Sequence, residues 1–362
     1  MNIGILSLAL HTNYGGILQS YALQTILERM GHDVKVIYRP VRKERKKMMW
    51  LRYIKRTILK FGFSKDIEIF KENNWNKKQR ILETHTSRFI KKYIHTRIIR
   101  RLEDLEPTEF ECIVVGSDQV WRPYYFNGHY NCDIDGAFLS FAQYWNIRRI
   151  AYAASFGTNI WEYNEKQTNI CRELVKKFQA VSTREESGVS MCNNYLGVNA
   201  KCVLDPTLLL NKEDYLRFVD KKKAPGDLMV YVLDNNDDIE NLITKIAKEK
   251  RLKPFKTNKT MIQPPIEDWL RGFRDAKFVV TDSFHACVFS ILFNKPFVVL
   301  TNEKRGRARL ESLLAKLNLE NRILEKTEQF EFELCQPLSD NISVILNNLR
   351  EDSLDFLNFA LK

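Results

Sequence analysis

Short apolar runs alternate along this chain with segments whose apolar residues recur at helical spacing, a rhythm that predicts an α/β protein. Residues 2–8 read as a first strand. A polar, glycine-bearing turn at 11–16 follows, and Ile17, Tyr21, Leu23, Leu27 and Met30 then share one helical face. Gly31 and His32 stop that helix, and 33–38 gives a second strand. Further strands are expected at 112–116, 149–154, 180–182, 201–205, 228–233, 276–280 and 297–300. Helices are expected at 238–250, 266–273, 286–293 and about 349–361. Strands alternating with helices at this spacing form parallel sheets covered on both faces. Pro206 and the turn-like stretch 221–227 interrupt the pattern. The expectation is therefore an α/β fold of two facing Rossmann-like domains, 1–205 and 206–348, with a last helix at 349–362. The deep cleft between the domains is the natural active site.

Charge changes this picture in one place. The net charge is +12, and residues 40–101 hold 20 Lys/Arg against 5 Asp/Glu, leaving the rest slightly acidic. One basic segment, a helical insertion at about 41–105, implies a local surface for an anionic partner rather than nucleic acid. From Arg42 to Lys60, nine Lys/Arg accompany one Glu. Trp50, Leu51, Ile54, Ile58 and Phe61 fall on one helical face, with Arg52, Lys55, Arg56 and Lys60 beside or opposite it. Such a helix, 42–61, can lie in a membrane interface. The plainer alternative is a helix that packs its apolar side on the first domain. No apolar run approaches the roughly 20 residues that span a bilayer, and the first residues read as a strand, not a signal peptide. Seven scattered cysteines without a CxxC fit reduced thiols. The expected location is the cytoplasm, at the inner face of the membrane if the basic helix docks there.

The chemistry concentrates at strand ends. Thr281-Asp282-Ser283-Phe284-His285 follows a strand and opens a helix, where backbone N–H groups and the helix dipole favour an anion. An imidazole there suits proton exchange at neutral pH; the alternative is a capped helix start with a buried, hydrogen-bonded histidine. His11 to Gly16 holds Asn13, Tyr14 and paired glycines that let backbone approach a ligand. Gly116 to Pro123 brings Asp118, Gln119 and Trp121, a carboxylate, an amide and an indole suited to a sugar. Small residues at 154–158 end another strand. Arg184, at another strand end, could grip a carboxylate or phosphate in bidentate fashion, or form an ordinary ion pair. Lys304, Arg305, Arg307 and Arg309 surround a glycine in a candidate anion loop. HExxH, paired-cysteine, GxSxG and Walker patterns are missing, which argues against zinc or serine hydrolysis and ATP cleavage.

Together the blocks HTNYGGILQSYALQ (11–24), VVGSDQVWRP (114–123), RRIAYAASFGT (148–158), VSTREESG (181–188), VLDPTLLL (203–210), DAKFVVTDSFHACVFSILFNKPFVVL (275–300) and RGRARLESLL (305–314) resemble the polysaccharide pyruvyl transferase family. The resemblance implies a GT-B-like fold and transfer of pyruvate from phosphoenolpyruvate to a sugar as a cyclic ketal, for a cell-surface polysaccharide. It places the family's essential histidine on His285 and its donor-contacting arginine on Arg184, with Phe284 also at the donor site. Ser283, Arg305 and Arg307 complete the expected donor side, and Asn13, Tyr14, Gly15, Asp118, Gln119 and Trp121 the acceptor side. No metal or cofactor is expected beyond the donor substrate, and the acceptor sugar is nucleotide-linked, lipid-linked or part of a glycan. Many members carry glycine after the histidine, where this chain has Ala286. The competing readings are a nucleotide-sugar glycosyltransferase of the same architecture, for which no convincing nucleotide pocket is found, and a non-catalytic sugar-binding assembly component.

Overall fold

The computed structural model describes residues 1–41, 49–64, 66–257, 262–301 and 307–362. Seven strands, β1 (Asn2–Leu6), β2 (Asp33–Tyr38), β3 (Thr96–Ile98), β4 (Cys112–Val115), β5 (Arg148–Ala154), β6 (Ala180–Thr183) and β7 (Lys201–Cys202), form one sheet in the order β3-β2-β1-β4-β5-β6-β7. Five more, β8 (Leu228–Tyr231), β9 (Pro254–Lys256), β10 (Phe278–Thr281), β11 (Phe297–Leu300) and β12 (Ile323–Leu324), form a second sheet, β12-β11-β10-β8-β9. Every pairing is parallel. β4, β8, β10 and β11 are buried at every residue, which is why their sequences run apolar without alternation. The expected pair of Rossmann-like sheets is therefore present. β3, β9 and β12 were not anticipated; each is two or three residues long and lies at a sheet edge.

Two helices join the domains. The helix Tyr14–Arg29 begins earlier than its sequence pattern implied and is buried almost all round from Tyr14 to Leu27. It meets the second domain at both ends: Tyr14 donates to the Pro264 carbonyl at 2.6 Å, and Arg29 pairs with Asp214. The helix Phe284–Leu292 is buried at every residue. One continuous apolar core accordingly runs from Ile3 through Trp269 and Phe289 to Leu361.

The helix Asn341–Leu361 is longer than expected and packs back on the first domain. Ser353 Oγ accepts from the Leu204 N–H at 3.0 Å, Arg148 donates to the Ala360 carbonyl at 2.8 Å, and Phe356 meets Tyr152 with ring centroids 6.2 Å apart. The basic insertion is helical as its pattern implied, with helices at Met49–Gly62, Lys71–Leu82 and Thr84–Tyr93. The third docks on the domain through Thr86, Phe89 and Ile90, whereas no residue of the second is buried. No helix among the described residues is long and apolar enough to cross a membrane, and the seven cysteines are free thiols.

Candidate functional site

A cleft of about 540 Å³ opens between the carboxyl ends of the two sheets, where ligands of open α/β folds bind. Its first wall comes from the segments after β1 (His11, Thr12, Asn13, Gly15) and β4 (Asp118, Gln119), with Tyr125 and His129 behind. Its second wall comes from the end of β8 (Tyr231, Leu233) and the turn after β10, Asp282 to His285. Trp269, Gln263 and Arg309 complete it.

The turn after β10 is held from below. The Asp282 carboxylate accepts the N–H groups of Leu233 (2.8 Å) and Asp234 (2.9 Å), tying it to the β8 loop. Ser283 occupies the N-cap position of the helix Phe284–Leu292 without capping it by its side chain. The first-turn N–H groups thus have no side-chain acceptor of the usual kind, and the positive end of the helix points at the cleft. His285, second in that helix, lies directly on Gly15, where any Cβ would overlap its imidazole. The glycine is thus required by close approach. His285 Nε2 has no hydrogen-bond partner and stands 3.7 Å from Asp205 Oδ2, an electrostatic contact too long for a hydrogen bond.

Asp205 is the hub of a buried charge network. It accepts Arg184 Nη1 at 2.6 Å, Ser117 Oγ at 3.1 Å and, on its other oxygen, Thr207 Oγ1 at 2.6 Å. Arg184 also reaches Asp118 at a long 3.5 Å and lies 4.5 Å over the Phe284 ring. Arg309 covers the same ring at 5.3 Å and stands 3.8 Å from Asp118. Two guanidiniums therefore lie over the Phe284 ring, each gaining from its electron-rich π face. Burial pushes the Asp205 carboxyl up, but His285 and Arg184 beside it hold it well below the ordinary carboxylate range. Asp118 is held low against burial by Arg184, His285 and Arg309. Burial, and then Arg184 alongside, lower the Arg309 guanidinium to about 10, so it stays protonated at neutral pH. Asp118 has a left-handed backbone, φ 74°, a conformation that costs a non-glycine residue roughly 1–3 kcal/mol and is retained where surroundings over-determine it.

The opposite wall is polar and mostly uncharged. Gln119 lies across Gly157, whose φ of 70° and lack of Cβ let it pass. His129 is pushed down to about 4 by burial, then by Arg39 and His11, so at neutral pH it presents a neutral ring. Together the walls set an imidazole and a guanidinium beside a helix start, facing polar side chains across the cleft.

The residues expected from sequence divide accordingly. Ser283, Phe284, His285, Asn13, Gly15, Asp118 and Gln119 come together in the cleft. Arg184 is fully buried behind Phe284. Tyr14 is buried too, its ring 5.5 Å from Trp269, and bridges the domains. Trp121 lies in the core, stacked on Phe138 at 4.9 Å. Arg307 pairs with Glu311 and Glu325 away from the cleft, and Arg305 lies outside the described residues. Arg309, the last cation of the candidate anion loop, does line the cleft, and His129, Tyr231 and Trp269 line it without having been singled out. Arg309 precedes Leu313 by one helical turn, and that spacing marks it as inward-facing. Tyr231 ends a strand as His285 follows one. Trp269 is disguised, because with Ile266, Leu270 and Phe273 it reads simply as the core face of its helix.

Among the described residues no group of three or more His, Cys, Asp or Glu side chains is arranged to hold a metal ion. No curated protein matches the chain. Among solved structures, Arabidopsis thaliana UGT89C1 complexed with UDP-L-rhamnose is 8% identical, with 98% of this chain and 94% of that one covered at a TM-score of 0.50. The UDP-GlcNAc 2-epimerase from Neisseria meningitidis bound to UDP-GlcNAc is 12% identical, with 99% and 94% covered at a TM-score of 0.47. At 8% identity the likeness to UGT89C1 is one of fold, the GT-B arrangement of two Rossmann-like domains. A family model described as polysaccharide pyruvyl transferase matches residues 13–304, a span that takes in both sheets' cleft-facing turns. By that match this chain belongs to the polysaccharide pyruvyl transferase family.

Proposed function

We propose that this chain transfers the pyruvyl group of phosphoenolpyruvate to a sugar as a cyclic ketal, in the cytoplasm, during synthesis of a cell-surface polysaccharide. The observation that carries the reading is His285, which lines the cleft at an anion-favouring helix start with its Nε2 backed by the buried carboxylate of Asp205. In this reading His285 delivers a proton to the methylene carbon of phosphoenolpyruvate, and the electron pair of the C=C bond forms the new C–H bond. A sugar hydroxyl adds to the resulting cationic carbon and returns its proton to His285. The C–O bond to phosphate then breaks, a second hydroxyl closes the ketal, and its proton leaves with the phosphate. Asp205, held ionised, stabilises the imidazolium through their 3.7 Å contact. Arg309 and the helix start carry the charge of the donor and the departing phosphate, so the reading invokes no metal. Arg184, paired with Asp205 at 2.6 Å behind the Phe284 ring, supports the donor side by holding Asp205 and Phe284 in place. Asn13, Gln119, His129 and Tyr125 face the acceptor.

The test is phosphate release from phosphoenolpyruvate with a panel of nucleotide-linked and lipid-linked hexoses. Release that requires an acceptor and yields a product with a new ketal methyl group is the expected result. Turnover of a nucleotide sugar instead, with phosphoenolpyruvate inert throughout the panel, would move the chain to the glycosyltransferase reading.

A further inference from the structure

The helix Met49–Gly62 is mounted with its apolar side outward. Trp50, Leu51, Ile54, Ile58 and Phe61 lie within an arc of about 100° around its axis. They are 59%, 39%, 48%, 54% and 74% exposed. The opposite side holds the helix in place: Tyr53 packs on Phe70 with ring centroids 5.0 Å apart, and Arg56 makes a two-pronged pair with Glu72 at 2.7 and 2.9 Å. An ordinary surface helix does the reverse, burying its apolar stripe. Packing on the first domain therefore does not account for this stripe. Phe63 and Phe70, 68% and 50% exposed, extend the apolar surface past the helix end.

What could cover it is constrained by charge. The helix carries Arg52, Lys55, Arg56 and Lys60 and no acidic residue, and 42–48 precedes it with five Lys/Arg and one Glu. Lys55 and Lys60 flank the stripe on either side, and both are exposed. Apolar side chains bordered by cations match a bilayer interface with anionic headgroups, where the rings and aliphatic chains enter the acyl boundary and the cations meet phosphates. A purely protein partner would require an acidic rim around an apolar groove.

The arm is rooted in the cleft wall. At its base Glu83 is buried and pairs with His11 at 3.2 Å, and the Leu82 carbonyl accepts from the Gln263 N–H at 3.0 Å. Both His11 and Gln263 line the cleft. We infer that the helix Met49–Gly62 seats this protein on an anionic phospholipid surface, beside which the cleft takes a sugar carried on a lipid. The choice of acceptor rests on the pyruvyl-transfer reading; the lipid contact does not.

Flotation of the full chain with phosphatidylcholine vesicles, with and without about one third phosphatidylglycerol, is the test. Binding should require the anionic lipid and fall at least about tenfold at roughly 0.5 M salt, where charge interactions are screened within a few ångström. Ile58→Glu with Phe61→Glu should abolish binding with unchanged thermal unfolding, since both side chains are exposed. Lys55→Gln with Lys60→Gln should weaken it about tenfold, while turnover of a water-soluble acceptor stays at the level of the parent. No flotation at low salt overturns the inference. So does a dimer that the glutamate variant converts to monomer without any vesicle binding, which would assign the stripe to a second copy. If vesicles are bound but no lipid-linked sugar is turned over, only the acceptor assignment fails.

Discussion

At the scale of single residues, the cleft separates groups that act from groups that hold. His285→Gln should keep the fold while turnover drops by about 10²–10⁴, the usual range for a positioned proton-transfer group; stopped-time phosphate assays beside thermal unfolding check both halves. Gly15→Ala tests the seat beneath that ring. Its methyl would displace the imidazole, and misplacement of about 1 Å costs on the order of 10²-fold in rate. Activity should therefore fall much further than stability. His129 offers a different test. Unfolded, its imidazole takes a proton near pH ~6.5; in the fold burial delays this to about 4. Between those values the unfolded chain binds more protons, so the contribution is complete above pH ~6.5 and is lost as pH falls towards 4, by as much as roughly 3 kcal/mol. Denaturant unfolding of the parent and His129→Gln across this window should show a shallower slope in the variant. His32, also lowered by burial, leaves a remaining slope of the same sign. Sequence placed His285 and Gly15 correctly at a strand-end turn, because the apolar strand ahead and apolar helix behind frame them. It could not tell which way a side chain leaves such a turn. Arg184 and Trp121 satisfy the same pattern, yet one is buried behind Phe284 and the other stacks in the core.

At the scale of elements, burial decided what was legible. The fully buried interior strands β4, β8, β10 and β11 are apolar runs, and all were readable. β3, β9 and β12 alternate or are too short to show a period, and their identity comes from the neighbour that supplies the hydrogen bonds. The helix Tyr14–Arg29 shows the opposite effect: Gln19, Ser20 and Gln24 are polar, yet all are buried and hydrogen-bonded. The helix Asn341–Leu361 lends itself to a direct measurement. Ser353→Ala would leave the buried Leu204 N–H without its acceptor, costing about 1–3 kcal/mol. Leu357→Ala, at a fully buried position, should cost about 2–5 kcal/mol. Denaturant titration of each variant checks both, and the loss should be seen by probes in the first domain, on which this helix packs.

At the scale of the whole molecule, the two domains share one apolar core, and Tyr14 spans them with its ring against Tyr231 and Trp269 and its hydroxyl on Pro264. A scanning calorimeter should therefore record one unfolding transition, where two independent Rossmann-like units would give two. Tyr14→Phe removes the hydroxyl alone and should lower that transition by the equivalent of about 1 kcal/mol without splitting it. The sequence conveyed two sheets and a cleft, but not this coupling, because the residues that create it, Tyr14 and Trp269, lie far apart in the chain and each reads as local core.

The return of the helix Asn341–Leu361 to the first domain also matters at the ribosome. All seven strands of the first sheet have been translated by Cys202, yet the helix that covers Tyr152 and accepts the Leu204 N–H is made only after the whole second sheet. Domains that are complete in sequence can fold as they emerge; this one cannot close until residues 341–361 have followed the second sheet. A nascent chain halted before residue 341 should leave the first domain open to protease, whereas one halted after residues 341–361 have emerged should protect it.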